Sequence, residues 1–409
     1  MILLLQVSNR KENVMLEEKL KLIRKHDQEG RIRVMIIGLG SVGNYLLSYL
    51  LSSNDENLEI IVAGRNAEKL QCDVNIARVA ALIRRQNKSN VIVDGTCNLD
   101  DVDSIAALIS KYQPDFIVNS SRVYPGLKYG SISWKNIRAY GIWTPLAIKY
   151  IRNIMLGYTK AEGKGIVINT SYSDGTIPWL KSSGVAYPDF GSGNLNHLLP
   201  RLKFAIANEI GVADFWNIDV DIATAHFHDV VISKEGQNEG LEQLLKASYK
   251  GEEIKLDQDD ILRKCVITMP TDSKRNMMNA SSNFDIINCI MTALRGNTKM
   301  KFFSPGVFGN IGGFPVIVDG TTDEPTCYID ESVFSLDDMI SKNRQSLALD
   351  GVEDIRNGCL VYTDDLIKKS EKAFGVTLPK IVPYDNIDAT AEFIIKDIIN
   401  PALEKGLNK

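Results

Sequence analysis

The feature that most restricts this chain is a glycine-punctuated turn, Gly38-Leu39-Gly40-Ser41-Val42-Gly43, set between the apolar run Val34–Gly38 and a helical pattern over Val42–Leu51. Each glycine does something different in such a turn. The first lets the chain reverse tightly, the second lets the backbone approach a pyrophosphate, and the third lets the helix lie close to its strand. The first helical turn also leaves N–H groups without intrahelical partners, so Gly40, Ser41 and Val42 turn a positive helix end toward an anion. A β-α-β unit that binds a dinucleotide is the favoured reading, and a ligand-free structural turn the alternative.

The pattern upstream and downstream fits a doubly wound sheet. Lys- and Glu-rich residues from Arg10 to Glu29, with Leu16, Leu20 and Ile23 at helical spacing, predict an amphipathic helix ahead of the first strand. Beyond the turn, strands are expected at Leu58–Ala63, Val91–Asp94, Phe116–Asn119 and Ile166–Thr170. The helices between them are expected at Ala67–Arg85, Val102–Tyr112 and Trp134–Met155. With Val34–Gly38 this gives five parallel strands, an α/β Rossmann-type sheet. After a helix at Leu195–Ile210 the rhythm breaks. Strands at Ile218–Ile232, Lys264–Met269, Met300–Ser304, Phe314–Val318 and Cys359–Thr363 lack regular crossover helices, and Ser335 caps a helix at Leu336–Gln345. A chain of 409 residues suits two domains. The boundaries are drawn as a helical extension over residues 1–30, a Rossmann domain over 31–215, an α+β domain over 216–375 for substrate or dimerisation, and a C-terminal helix over 376–409 returning to the first domain.

Cofactor choice is decided at the end of the second strand. An NAD enzyme usually places Asp or Glu there for the ribose 2′-hydroxyl, but this chain has Val62-Ala63-Gly64-Arg65-Asn66. Arg65, with Lys69 behind it, can meet a 2′-phosphate through charge-assisted hydrogen bonds, so NADP is favoured over NAD. A solvated loop arginine is the alternative. Asp94 and Thr96, Asn119-Ser120-Ser121, and Asn169-Thr170-Ser171 end the third, fourth and fifth strands. They gather at the carboxyl edge, as ligands for the cofactor's riboses or equally as ordinary turn residues.

Short-chain dehydrogenases need a Tyr-x-x-x-Lys after the fifth strand. Ser171, Ser173 and Tyr187 sit at suitable places for that chemistry, but the fourth residue beyond Tyr187 is Gly191. The one match, Tyr124 to Lys128, contains Pro125 and follows the fourth strand. On Gly38, Gly40, Gly43 and Arg65, with an α+β domain after the sheet, the chain instead resembles the saccharopine dehydrogenase-like oxidoreductases, the group that takes in saccharopine reductase and carboxynorspermidine dehydrogenase. The resemblance implies reduction of an imine, or its reverse, on an amino-acid-like small molecule. A modified short-chain-type carbonyl reductase using Tyr187 or Tyr124, and a non-catalytic NADP-binding sensor, are the alternatives.

Of four histidines, His226 and His228 lie two apart on an expected strand and so share an apolar face with Val220 and Ile222. They are candidates for binding a substrate carboxylate or shuttling a proton, with core packing as the alternative; no third ligand suggests a metal. Ser304 to Pro315, rich in Gly and Pro, reads as a bulged connection or a loop that closes over a ligand. A net charge of −4 gives no general attraction for nucleic acid, and no apolar run approaches a membrane span. Six scattered cysteines form no Cys-x-x-Cys pair. A cytoplasmic homodimer is expected.

Overall fold

The computed structural model describes residues 2–86, 88–270 and 272–407, with side chains from Val14 onward. Its centre is a parallel sheet of six strands, not five. In chain order these are β1 (Ile32–Ile37), β2 (Leu58–Ala63), β3 (Asn90–Asp94), β4 (Phe116–Asn119), β5 (Ile166–Asn169) and β6 (Phe190–Gly191), arranged β3-β2-β1-β4-β5-β6. The sixth strand is only two residues long, too short to leave a periodic signal. Strand order reverses between β1 and β4, and this switch point opens a crevice at the carboxyl edge.

Two further elements depart from expectation. The single helix expected over Trp134–Met155 is two helices, Gly126–Asn136 and Thr144–Lys160. Arg138 takes a left-handed φ of 52° between them, and Pro145 suits the first turn of the second helix, where a missing N–H is harmless. A helix at Ser173–Ser182 was also unforeseen, because Pro178 lies inside it.

Both faces of the sheet are covered. On one, Ile105, Ile109, Ile148, Ile151 and Ile154 pack with Ile387, Ile394 and Ile398 of the C-terminal segment. That segment runs from Ile387–Phe393 through a π-helical turn, Ile394–Ile399, to Asn400–Glu404. Pro401 offers no N–H to the preceding turn, which fits the widened ladder there. On the other face, Leu16, Leu20 and Ile23 of the helix Ile2–Gln28 pack with Leu46, Leu50, Ile286 and Ile290. Lys19 anchors that N-terminal helix through a 2.7 Å ion pair with Asp189. The residues Ile286 and Ile290 belong to the long helix Asn276–Gly296, which lies along the helix Ser41–Ser52.

A third core joins the helix Leu198–Ile210 to β7 (Ile218–Ala223), which pairs antiparallel with β8 (Leu244–Tyr249). Here the strand expected to reach Ile232 stops at Ala223, and residues His226–Glu235 form a helix instead. The strand expected at Lys264–Met269 is absent too: Lys264 ends the helix Gln258–Lys264, and residues 265–269 form an irregular connection. The segment Ser304 to Pro315 lies in an antiparallel hairpin whose turn rests on the helix Ser173–Ser182, where Lys181 Nζ donates to the Phe308 carbonyl at 2.7 Å.

Candidate functional site

The crevice at the switch point is the mouth of a cleft of about 790 Å³. Gly38, Gly40, Ser41 and Val42 line its outer part with Arg65, Asn66, Ser120 and Ser121. The three glycines differ as their chemistry requires. Gly38 has φ +89°, a conformation that disfavours side chains. A Cβ on Gly40 would meet nothing within 4 Å, so the backbone there is open to a ligand. A Cβ on Gly43 would stand 2.3 Å from the Gly38 carbonyl, so this glycine sets the close approach of helix to turn. Ser120 braces the same turn by donating its hydroxyl to the Gly38 carbonyl at 2.5 Å. Among the described residues no side chain caps the helix Ser41–Ser52, and Gly40, Ser41 and Val42 at its start line the cleft.

Arg65 is exposed at the end of β2, and Asn66 caps the next helix by accepting from the Lys69 N–H at 2.9 Å. Other candidates lie elsewhere. Asp94 is absorbed into the fold: its carboxylate accepts from Thr96, Lys111 and Tyr112. Although burial opposes it, these bonds hold Asp94 well below the usual carboxylate range. Ser171 is buried behind the sheet edge, its carbonyl accepting from the Asn169 amide. Tyr187 does not line the cleft and packs beside Lys181. Tyr124 points its hydroxyl to Asn400.

The helical conformation of His226–Glu235 separates the two histidines, which a strand would have placed on one face. His228 turns inward and is fully buried, with Nδ1 2.7 Å from Ser346 Oγ and Nε2 3.0 Å from the Asn238 carbonyl. His226 lines the cleft. Its backbone N–H donates to Asp174, and its Nδ1 lies 2.8 Å from Asp350 Oδ2, leaving Nε2 as the nitrogen for a ligand. Asp350 is itself oriented by the Tyr172 hydroxyl at 2.8 Å and the Tyr140 N–H at 2.6 Å. Burial alone would lower the His226 pKa, but Asp350, Asp174 and Asp229 together raise it above the ordinary histidine value.

On the same helix, Asp229, Val230, Ser233 and Lys234 also line the cleft. Burial pushes the Asp229 carboxyl up to about 6, and its Oδ1 has no hydrogen-bond partner among the described residues. Burial and the Arg275 charge lower Lys234 to about 8, and its Nζ donates to the Tyr140 hydroxyl at 3.2 Å. His197, at the mouth of the helix Leu198–Ile210, is pushed down to about 3 by burial and by Arg275 and Arg201. Arg275 lines the cleft with no ion-pair partner among the described residues. The inner end thus holds two arginines, a histidine disposed to be cationic, and a buried acid beside them. Asp229, Lys234 and Tyr140 escaped the sequence reading, although the spacing of 226, 229, 230 and 233 is the i, i+3, i+4, i+7 signature of a helix face.

Residues 34–127 match the family described as the saccharopine dehydrogenase NADP binding domain, so this part of the chain is similar to that family. No curated protein matches the chain. Among solved structures, malate dehydrogenase from Cryptosporidium parvum is similar with a TM-score of 0.52 and 14% identity, covering 78% of this chain and 98% of that one. Malate dehydrogenase from Aeropyrum pernix has a TM-score of 0.49 and 13% identity over 77% and 96%. A Cryptosporidium parvum lactate dehydrogenase, complexed with lactic acid and nicotinamide adenine dinucleotide, has 0.49 and 14% over 78% and 97%. The first of these shares the fold, a Rossmann sheet with further antiparallel sheets.

Proposed function

We propose that the chain is an NADP-dependent oxidoreductase that reduces a C=N bond, or catalyses the reverse, in an amino-acid-derived small molecule. The observation that carries the reading is the content of one continuous cleft: a dinucleotide turn at its mouth and groups of opposite charge at its inner end. A substrate with both a carboxylate and an amine or imine nitrogen suits that end. Arg275 and Arg201 supply the charge for the carboxylate, while Asp229, with an oxygen lacking a partner, favours a cationic nitrogen. A purely anionic substrate would leave that buried acid facing a like charge.

The cofactor, when bound, supplies or takes up a hydride. The protein orients the reactants and handles the proton. His226, held by Asp350, presents Nε2 as the acid that protonates nitrogen during reduction and as the base that removes the proton in reverse. Arg65 and Lys69 supply the charge for a 2′-phosphate, which supports NADP over NAD.

Measuring NADPH consumption with an amine alone, a 2-oxo acid alone, and the two together tests the reading. Turnover is expected only with the pair or with a preformed imine. Full turnover on a ketone or aldehyde without any amine would reject it and favour a carbonyl reductase, for which the Tyr140 hydroxyl beside Lys234 offers an acid. Binding of NADPH without turnover of any of these would favour a sensor.

A further inference from the structure

Behind the cleft-facing edge of His226, one carboxylate oxygen is shared between two donors. The His226 Nδ1 stands 2.8 Å from Asp350 Oδ2, and the Tyr172 hydroxyl donates to that same oxygen at 2.8 Å. The Tyr140 N–H takes the other oxygen, Oδ1, at 2.6 Å. Asp350 is fully buried, and neither it nor Tyr172 lines the cleft, so any effect of theirs on a ligand passes through His226.

The backbone fixes this arrangement. The Asp350 carbonyl accepts from the Gly141 N–H at 2.9 Å, and a Cβ on Gly141 would stand 2.5 Å from that carbonyl, so the two segments lie in close contact. Tyr172 takes a left-handed backbone, φ 45° and ψ 50°, which a tyrosine adopts only where its surroundings hold it there. Its ring stands edge-on to His226 with centroids 5.0 Å apart. Gly175 leaves room for that ring, since a Cβ there would lie 2.9 Å from it.

Burial and the Asp350 charge hold the Tyr172 phenol well above its ordinary value, so it remains a donor throughout the range in which a histidine titrates. A donor to a carboxylate oxygen stabilises the negative charge and leaves less of it for a second partner. The other groups around His226 pull both ways. Asp350, Asp174 and Asp229 favour the imidazolium and burial opposes it, while Tyr140, edge-on at 5.0 Å, and His197 face it uncharged.

We propose that Tyr172 is a positioning residue that sets the proton affinity of His226: by sharing Asp350 Oδ2 it moderates the pull of the carboxylate, so that the imidazolium can give up its proton. That this proton goes to a substrate nitrogen rests on the proposed function; the tuning of the imidazole does not.

Nuclear magnetic resonance of the full-length chain, isotope-labelled at histidine Cε1, tests the assignment, since the chain has only four histidines and His226→Gln identifies the signal. Tyr172→Phe keeps the ring and removes the hydroxyl, and is expected to raise the His226 titration midpoint by about one pH unit, a tenfold gain in proton affinity. Asp350→Asn should lower the midpoint. The double variant should match Asp350→Asn, because Tyr172 acts through the carboxylate. An unmoved or lowered midpoint in folded Tyr172→Phe would overturn the proposal, as would a double variant that differs from Asp350→Asn; if Asp350→Asn does not fold, Tyr172→Phe decides alone. In turnover of a preformed imine, the fall of kcat at high pH should move up with the midpoint. A raised midpoint with an unmoved kcat profile would uphold the tuning and reject His226 as the acid of the reduction.

Discussion

Two histidines separated by a single residue meet opposite fates, and the reason is backbone geometry. In a strand, residues two apart share a face; in a helix they lie about 200° apart. His226 consequently enters the cleft and His228 the core. Replacing His226 with Gln should cut kcat strongly while leaving the NADPH dissociation constant unchanged, because the cofactor turn is carried by other residues. His228→Ala should do the reverse. It leaves the Ser346 hydroxyl and the Asn238 carbonyl without their buried partner, at a cost of about 1–3 kcal/mol each, read as a lower midpoint of urea unfolding with turnover retained. Loss of turnover in stable His228 variants would contradict this division. Arg65 makes a third case. It stands exposed at the cleft mouth, so Arg65→Ala should spare the fold and weaken NADPH binding by about 1.5–3 kcal/mol, with NADH little affected. Calorimetric titration of both cofactors checks it, and equal losses would remove Arg65 from the 2′-phosphate.

At the scale of the element, the glycine turn separates binding from folding. Gly40→Ala adds a methyl group that meets no protein atom, so the variant should fold normally and lose cofactor affinity. Gly43→Ala drives a Cβ to 2.3 Å from the Gly38 carbonyl, so it should lose stability as well as affinity. Thermal melts with and without NADPH distinguish the two, and matching stabilities for both variants would refute the packing role of Gly43. Elements with strong local signals were legible beforehand. β1, β2, β4 and the helix Ser41–Ser52 follow from apolar runs and glycine spacing, and the outer cleft residues Gly38, Gly40, Ser41, Val42, Arg65, Ser120 and Ser121 come with them. The inner end was not legible in this way. Residues 218–232 contain enough Val and Ile to suggest one long strand, and their true break at Ala223 depends on tertiary contacts, such as Asp174 accepting from the His226 N–H, that no local pattern records. Asp94 and Ser171 lie outside the cleft lining for a related reason. Position at a strand end is visible in sequence, but which neighbours consume a side chain's hydrogen bonds is not.

Across the whole molecule, the inner end of the cleft exists only because separate parts of the chain converge on it. Asp174 follows β5, Asp350 follows the helix Leu336–Leu349, His226 and Asp229 lie on the helix His226–Glu235, and Arg275 precedes the helix that lies along Ser41–Ser52. The burial that shifts these groups is therefore a property of the assembled chain and must appear in its stability. His197 falls to about 3 in the folded protein, against roughly 6.5 when unfolded. Between those values the unfolded chain binds the extra proton, so this contribution is present above about pH 6.5 and is lost as the pH falls toward 3. His226 has the opposite sign. Its folded value is raised, so its contribution is full below the unfolded value and is lost as the pH rises through the folded one. Urea unfolding measured from pH 5 to pH 9 should resolve both. Relative to wild type, His197→Gln should gain stability as the pH is lowered from 7 to 5, whereas the deficit of His226→Gln should be largest near pH 6 and shrink toward pH 9. A stability gap independent of pH in either variant would mean that its histidine does not change protonation on folding.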